Sequence, residues 1–317
     1  MNRVLILLFF LPLGCHYERS TEANPATPST DAPYLVVLGI TQDAGYPQAG
    51  CYKPHCLRAW NDPSLRRGAT SLALIDPLLK KKWLFEATPD IKDQLYRLEQ
   101  YAPDSIYELA GVFLTHGHMG HYTGLMHLGR EAMNAKDIKV HAMPRMREFL
   151  NSNGPWDQLV KLQNIILEPI SDSTLVSLSP RIEIIPFEVP HRDEYTETVG
   201  YQIVTDRKKV IFIPDIDKWG RWSQDIVEVI RKNDFAFLDA TFFDQTELPG
   251  RDMSKIPHPF VIESIELFSQ LADPQRSKIY FIHFNHSNSL LDTGSEQYKS
   301  VINAGYKVSD EGLVIKL

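Results

Sequence analysis

Short apolar runs of strand length recur along most of the chain, beginning at Tyr34–Ile40. They are rich in Val, Ile, Phe and Tyr and are bounded by Pro, Gly, Asp or Asn, which is typical of buried β-strands. The other predicted strands are Ser71–Ile75, Lys82–Glu86, Gly111–Leu114, Lys139–Ala142, Arg181–Val189, Thr198–Thr205, Lys209–Ile213, Phe235–Ala240, Lys278–Phe284 and Gly312–Leu317.

Segments with helical periodicity separate many of these strands. Pro89–Tyr101 follows a start signal at Thr88 and places Ile91, Leu95 and Leu98 on one face. Similar patterns predict helices at Gly124–Asn134, Pro144–Asn151, Ser223–Arg231, Phe260–Leu271 and Ser295–Ala304. Strands with interspersed helices indicate a layered α/β fold. We find no internal repeat and no second linker, which predicts one domain over residues 34–317.

The first 33 residues lack the pattern of strands and helices and have the composition of an export signal followed by a tether. Arg3 precedes an apolar run, Val4–Leu13, that is too short to span a bilayer and is typical of an export signal. Leu11–Cys15 resembles a bacterial lipoprotein cleavage box, with Pro12 at a usually aliphatic position. This predicts a signal peptide over 1–15, lipidated Cys15, and a lipoprotein at the periplasmic face of a membrane or the cell surface. An ordinary secretory signal is the alternative. Residues 16–33 have the composition of a flexible tether.

Composition narrows the range of partners. The 317 residues are 43% hydrophobic and 23% charged, with a formal net charge of −7, which are ordinary globular values. Lys80–Lys82 is the one basic cluster and is typical of a solvated turn. Because no basic stripe is present, a nucleic-acid partner is not indicated. We expect a small-molecule or peptide-derived substrate and a membrane contact only through the lipid anchor; the sequence does not indicate an oligomeric state.

The segment after the predicted strand Gly111–Leu114 reads His116-x-His118-x-x-His121. A loop that leaves a strand end can direct several side chains at one point, and neutral imidazole is a good ligand for Zn, Fe or Mn. Three histidines so close together are hard to explain as core filling. The sequence therefore predicts a metal-binding loop, with a chance surface cluster as the alternative.

Three further ligand candidates each follow an apolar strand. They are His191 after Val189-Pro190, Asp215 after Ile213-Pro214, and His283 after Ile282. Taken singly, each side chain has an ordinary structural explanation in a turn or in the core. Their shared position past strand ends, in the order His-x-His, His, Asp, His, indicates that they complete the site begun by the histidine loop.

This order resembles the metallo-β-lactamase superfamily, whose fold is a four-layer αβ/βα sandwich with metals at one edge of its two sheets. The resemblance implies one metal on His116, His118 and His191. It implies a second metal on His121, Asp215 and His283, with Asp215 bridging. The superfamily loop reads His-x-His-x-Asp-His, and Gly120 stands here at the Asp position. Both one and two active-site ions therefore remain open, with Zn expected and Fe or Mn as alternatives.

Several segments resemble one branch of that superfamily, the PqqB proteins associated with pyrroloquinoline quinone biosynthesis. The resemblance covers most of 34–317 and is strong in the last third. It is carried by Val36–Gly39 with Pro47-Gln48, Glu86–Asp90, Leu238–Phe243, Ile256–Pro259 and Ile282–Asn288 with Leu291-Asp292. PqqB proteins tend to have lost the full histidine loop, which this chain keeps. We therefore predict a PqqB-like lipoprotein, distinct from the biosynthetic protein itself.

The segment Cys51–Cys56 is a second candidate metal site. PqqB and the related cyclic phosphodiesterases of phosphonate breakdown carry a Cys-x-Cys-x-x-Cys zinc loop here, whereas this chain has Lys53 at the middle position. The resemblance implies that Cys51, His55 and Cys56 could hold a structural zinc with His286 as the fourth ligand. The alternative is a Cys51–Cys56 disulfide, because an exported protein meets an oxidising environment.

Three functional hypotheses follow. The first is a metal-dependent hydrolase that attacks a phosphodiester or another ester with a metal-bound hydroxide. Asp215 would position the attacking group, and His258 and Asp239 would support the site or transfer protons, with structural roles open for both. The second, implied by the PqqB resemblance, is iron-dependent tyrosine hydroxylation on a peptide precursor. The third is a non-catalytic metal-binding lipoprotein.

Overall fold

The computed structural model describes residues 31–317, which form two seven-stranded sheets with helices packed on them. The predicted signal peptide over 1–15, its Cys15 and nearly all of the predicted tether over 16–33 lie outside the described residues, so these stay predictions. Within the described range, no helix combines the length and the apolar composition that a bilayer crossing requires.

The first sheet contains the N-terminal strands and the last strand of the chain. They are β1 (Tyr34–Gly39), β2 (Ser71–Asp76), β3 (Lys81–Phe85), β4 (Glu108–Phe113), β5 (Ile138–Ala142), β6 (Ile165–Pro169) and β14 (Val314–Lys316). Their order is β14-β1-β2-β3-β4-β5-β6. Strands β3 to β6 run parallel to one another, and β2 runs antiparallel to both β1 and β3.

The second sheet contains the remaining strands. They are β7 (Val176–Ser179), β8 (Ile182–Glu188), β9 (Val199–Thr205), β10 (Lys209–Ile213), β11 (Phe235–Asp239), β12 (Ile279–Ile282) and β13 (Lys307–Val308). They lie in the order β13-β12-β11-β10-β9-β8-β7. Strands β10 to β13 are parallel, while β9 is antiparallel to both β8 and β10, so β8 and β10 point the same way.

Alternating side chains of β1 show how the layers form. Leu35 and Val37 belong to the core shared by both sheets, whereas Val36 and Leu38 pack with helices on the outer face of the first sheet. Because both faces of the strand are covered, all six of its residues are buried and its sequence is a continuous apolar run.

Helices cover both outer faces, which confirms the predicted four-layer αβ/βα sandwich. They are α1 (Pro54–Asn61), α2 (Ile91–Leu98), α3 (Met119–Tyr122), α4 (Pro144–Ser152), α5 (Trp156–Lys161), α6 (Ile226–Arg231), α7 (Val261–Phe268), α8 (Asp273–Arg276) and α9 (Glu296–Asn303). Apolar residues of α2, α4 and α5 pack on the first sheet, and those of α6, α7 and α9 join the core of the second.

The helix predicted over Gly124–Asn134 is wrong. The structure has only a short 3-10 helix, Thr123–Leu128, followed by turns. The backbone N–H of Gly124 donates to the carbonyl of Ala87, and a Cβ at residue 124 would lie 2.1 Å from the carbonyl oxygen of Thr88. This close backbone contact fixes the segment against the end of β3, and side-chain periodicity does not reveal such a contact.

The topology brings many strand ends to one edge. Strands β1, β3 and β4 of the first sheet point the same way, as do β8, β10, β11 and β12 of the second. The segments that leave their carboxyl ends contain every predicted ligand of the histidine-loop site. Side chains from these seven strand ends can therefore meet at this edge.

Candidate active site and metal centre

The histidine loop leaves β4 and is held against the second sheet. The backbone N–H of Val199 donates to the carbonyl of Thr115 over 3.1 Å. The N–H of Gly117 donates to the hydroxyl of Thr196 over 2.8 Å, and a Cβ at residue 117 would lie 2.7 Å from the Thr196 methyl group. Glycine at 117 therefore lets the loop approach the second sheet, where the remaining candidate ligands lie.

The first cluster of candidate ligands contains His116, His118, His191 and Asp215, which offer donor atoms within 4.8 Å of one another. Asp215 Oδ2 lies 3.4 Å from His116 Nε2 and 3.2 Å from His191 Nε2. His116 Nε2 is 2.8 Å from His118 Nδ1. The structure thus brings together the three histidines predicted for the first metal, with Asp215 beside them.

The second cluster contains His121, His283 and Asp43, again with donor atoms within 4.8 Å. His121 Nε2 is 3.3 Å from Asp43 Oδ1 and 3.8 Å from Asp215 Oδ2, so Asp215 lies between the two clusters. Sequence reasoning missed Asp43. The signal was present, because Asp43 follows the apolar strand β1 in the same way that Asp215 follows β10.

Carboxylates that sequence reasoning also missed contact the outer nitrogens of the histidines. Glu86, fully buried at the end of β3, lies 3.3 Å from His121 Nδ1. Asp217 Oδ1 is 3.3 Å from His191 Nδ1. Such contacts orient metal-binding imidazoles and fix their tautomers. Glu86 also has a φ of +80°, an uncommon conformation for a residue with a side chain, which indicates that its position is imposed by the surroundings.

The predicted supporting residues Asp239 and His258 lie beside the clusters. Asp239 Oδ2 is 2.8 Å from His258 Nδ1 and accepts the N–H of Ile216 over 3.1 Å. Its Oδ1 accepts both the N–H and the hydroxyl of Thr241. His258 Nδ1 is also 3.3 Å from Asp215 Oδ1. Asp239 therefore holds His258 next to the carboxylate shared by the clusters.

Several buried polar atoms in the clusters lack a hydrogen bond, which is unusual for a protein interior. Among them are Nε2 of His121, Nε2 of His191, Nε2 of His283 and Oδ1 of Asp215. Bound cations would satisfy these atoms and offset the cost of their burial. The residues present therefore fit a metal centre.

Electrostatics agree with that fit. Burial lowers the pKa of His116 and of His283, which favours the neutral ring that binds metals. Burial opposes ionisation of Asp215, but His191 and His258 hold the pKa of its carboxyl well below the usual range. Burial likewise opposes charge on His121, whereas Glu86 and Asp43 raise its pKa above the ordinary value. Burial also opposes charge on His191, but Asp215 and Asp217 raise its pKa to about 9.

The second predicted site also assembles. Cys51, His55, Cys56 and His286 offer donor atoms within 4.8 Å of one another, and both cysteines are free thiols. Cys51 Sγ lies 3.4 Å from His55 Nε2, and Cys56 Sγ lies 3.2 Å from His286 Nδ1. Burial and the neighbouring Cys51 raise the pKa of Cys56 to about 11. A bound cation would reverse this shift, because the thiolate is the ligand form.

We expect Cys51→Ser to remove one zinc ion per chain and to lower the thermal midpoint. The physical reason is that His286 reaches this cluster from the segment after β12, so a metal there would tie α1 to the second sheet. Metal content measured by mass spectrometry on the purified chain tests this. His127→Ala is the control, because His127 belongs to none of the candidate metal clusters. Unchanged zinc together with a Cys51–Cys56 disulfide in the wild type would contradict it.

The family is decided by a comparison with known protein families. Residues 81–284, which are more than half of the chain, match the family model described as "Beta-lactamase superfamily domain". The chain belongs to this metallo-β-lactamase superfamily. Its metal-binding fold accounts for the position of the two clusters at one edge of the sheets.

The chain is similar in sequence to proteins named coenzyme PQQ synthesis protein B. The relative from Xanthomonas campestris pv. campestris (strain B100) is 26% identical over 308 residues, covering 89% of this chain and 99% of that protein. The relative from Methylorubrum extorquens (strain PA1) is 26% identical over 315 residues, covering 90% and 100%. The chain is therefore PqqB-like along nearly the whole length of these proteins.

Solved structures show the same fold. Zinc-bound PqqB from Methylobacterium extorquens matches with a TM-score of 0.74 and 23% identity, covering 90% of this chain and all of that one. A diphosphatase of the PhnP family matches with a TM-score of 0.62 and 22% identity, covering 90% and 97%. The histidine loop of this protein has Gly120 where the superfamily loop has an aspartate, and it keeps all three histidines.

Proposed function

We propose that this PqqB-like chain is a metal-dependent hydrolase that cleaves a phosphodiester or another ester bearing a negative charge. The observation that carries the proposal is the convergence of five histidines and two aspartates, with His258 beside them, at one edge of the two sheets, where several of their buried donor atoms are unsatisfied. When bound, the metals would lower the pKa of a coordinated water and polarise a substrate oxygen.

Asp215 and His258 would position the attacking group and donate a proton, respectively. Asp215 lies between the clusters, so its carboxylate holds the attacking group in position. Burial opposes charge on His258, but Asp239 and Asp215 raise its pKa above the usual value. This shift favours the protonated ring, with Nδ1 held by Asp239, so that the other ring nitrogen can donate a proton to the leaving group.

A cavity of about 520 Å³ lies next to the clusters and supports an anionic substrate. Three cationic side chains line it, Arg192, Arg251 and Lys255, against one acidic side chain, Asp43. Arg192 and Lys255 lie near Glu194 and Asp252, at 3.8 Å and 3.4 Å. Arg251 makes no side-chain hydrogen bond or ion pair within residues 31–317. Its guanidinium is free to bind a phosphate or carboxylate.

Turnover of bis-(p-nitrophenyl) phosphate by the metal-loaded protein tests the proposal. We expect release of p-nitrophenol that a chelator abolishes and added metal restores.

A second candidate function, iron-dependent oxidation of an aromatic peptide, is favoured by the similarity to the coenzyme PQQ synthesis proteins along almost their full length. Oxygen uptake with an aromatic peptide, together with no ester hydrolysis, would overturn the hydrolase proposal. Tight metal retention with no activity in either assay would favour a non-catalytic metal-binding lipoprotein.

We expect Arg251→Gln to lower kcat/KM for anionic esters by roughly tenfold, mainly through KM, because one charged hydrogen bond contributes about 1.5 kcal/mol. Neutral esters should be affected little. Steady-state kinetics with a matched pair of charged and neutral substrates measure this. Arg207→Gln is the control, because Arg207 lies in the β9–β10 turn at the opposite end of the sheet. Equal losses on both substrates would contradict a role in charge recognition.

A further inference from the structure

The space beside Gly120 is filled by another residue. A Cβ at position 120 would lie 2.3 Å from Asp43 Cα, 2.5 Å from Asp43 Oδ1 and 2.9 Å from Asp43 Cβ. Real Cβ atoms do not approach other atoms so closely. A side chain at position 120 and Asp43 in its present place therefore exclude each other.

Asp43 reaches this place through a connection between the two sheets. The chain after β1 pairs with the chain after β12: the N–H of Phe284 donates to the carbonyl of Ile40, and the N–H of Gln42 donates to the carbonyl of Phe284. These bonds measure 2.9 Å and 2.8 Å. They place Asp43 next to His283 by backbone contacts alone. Residue 43 has a φ of +22°, which Asp accepts more readily than most residues.

The carboxylate of Asp43 lies beside two buried histidines whose Nε2 atoms have no hydrogen-bond partner. His121 and His283 are 2% and 0% exposed, and Nε2 of each makes no hydrogen bond. Asp43 Oδ1 is 3.3 Å from His121 Nε2, and Asp215 Oδ2 is 3.8 Å from the same atom. Two imidazoles and a carboxylate from separate strand ends form a donor set suited to Zn, Fe or Mn.

We propose that Asp43 is the carboxylate ligand of the second metal ion, supplied by the loop after β1 in place of the acid that the histidine loop lacks at Gly120. The inference rests on the proposed metal-binding function of the same site. It gives the second ion Asp43, His121 and His283, with Asp215 shared with the first cluster. The loss of the acid at Gly120 therefore does not reduce the site to one ion, because a different strand end supplies the carboxylate.

The test is a metal titration of the full chain after chelator treatment, with bound zinc counted by mass spectrometry and affinity measured by calorimetry. We expect Asp43→Asn to bind one ion fewer than the wild type, or to bind that ion about tenfold or more weakly. Asp43→Ala should act in the same way. Asp206→Asn, at the far end of the sheet, is the control and should match the wild type. Circular dichroism confirms that the variants fold, as expected for a side chain that is 40% exposed.

Two outcomes would overturn the inference: Asp43→Asn with wild-type stoichiometry and affinity, or a wild-type chain that binds only one ion outside the cysteine cluster. Failure here is distinguishable from failure of the hydrolase proposal. A chain that hydrolyses esters with unchanged metal binding in Asp43→Asn keeps the proposed activity and loses the Asp43 ligand. A chain without hydrolysis whose second ion depends on Asp43 keeps the ligand and loses the activity.

Discussion

Replacing His118 by alanine is expected to lower turnover of bis-(p-nitrophenyl) phosphate by about a thousandfold or more, since a metal contributes several kcal/mol and each 1.36 kcal/mol is tenfold in rate. His118 is the best residue for this test because its side chain is 16% exposed, whereas those of His116 and His191 are buried in the protein. Removing it should take away a ligand without opening a cavity in the core.

The measurement pairs steady-state turnover with metal content and thermal melting. We expect one active-site ion to be lost and the melting midpoint of the chelated protein to stay close to that of the wild type. His127→Ala is the matched control, because His127 belongs to none of the candidate metal clusters. Wild-type turnover by His118→Ala would contradict a catalytic role for the first cluster, and a parallel loss in His127→Ala would point to a general effect of histidine removal.

Asp239→Asn is expected to reduce both stability and activity, by about 3 kcal/mol of unfolding free energy and by about a hundredfold in turnover. Asp239 is fully buried and accepts hydrogen bonds from Ile216 N, Thr241 N and the Thr241 hydroxyl while contacting His258. An amide has only one accepting atom, so part of this arrangement must be lost. Urea unfolding and initial rates measure the two effects.

The same variant makes a prediction about pH. Asp239 helps to raise the pKa of His258, so its neutralisation lowers that pKa. A group that donates a proton works only while protonated, and activity then falls as pH rises through its pKa. The alkaline limb of the rate profile should therefore move to lower pH in Asp239→Asn. A limb that stays in place while stability falls would assign Asp239 a purely structural role.

Several elements of the fold follow from local sequence alone. Strands with both faces covered, such as β1, have continuous apolar runs because neither face meets water, and the bounds of β1 were predicted within one residue. The unpredicted strands β6, β7 and β13 all lie at or next to sheet edges. Their residues are partly exposed, so their apolar pattern is weak. Helix α1 was also not predicted, since its sequence was interpreted as a ligand loop.

Some residues of the candidate site could likewise be identified from the sequence, whereas others required the structure. The histidine loop and the ligands at His191, Asp215 and His283 were visible in the sequence because each follows an apolar strand. Glu86 and Asp217 were missed as orienting groups, because only the packed structure shows which carboxylate faces which imidazole nitrogen. The cysteine cluster likewise brings Cys51 and Cys56 next to His286. Cys56 and His286 are 230 positions apart in the sequence, and spacing along the chain cannot establish that they are close.

The sequence by itself determined that this protein has a metal-binding loop, a layered α/β fold and a set of ligands at strand ends, since these depend on local periodicity and residue chemistry. Only the tertiary structure decided what lies at Gly120. The sequence shows a missing acid, whereas the packed chain shows Asp43 in that space. The physical reason is that two backbone hydrogen bonds between the chain segments after β1 and β12 bring residues 43 and 283 together, and non-local pairing of this kind has no signature in local periodicity.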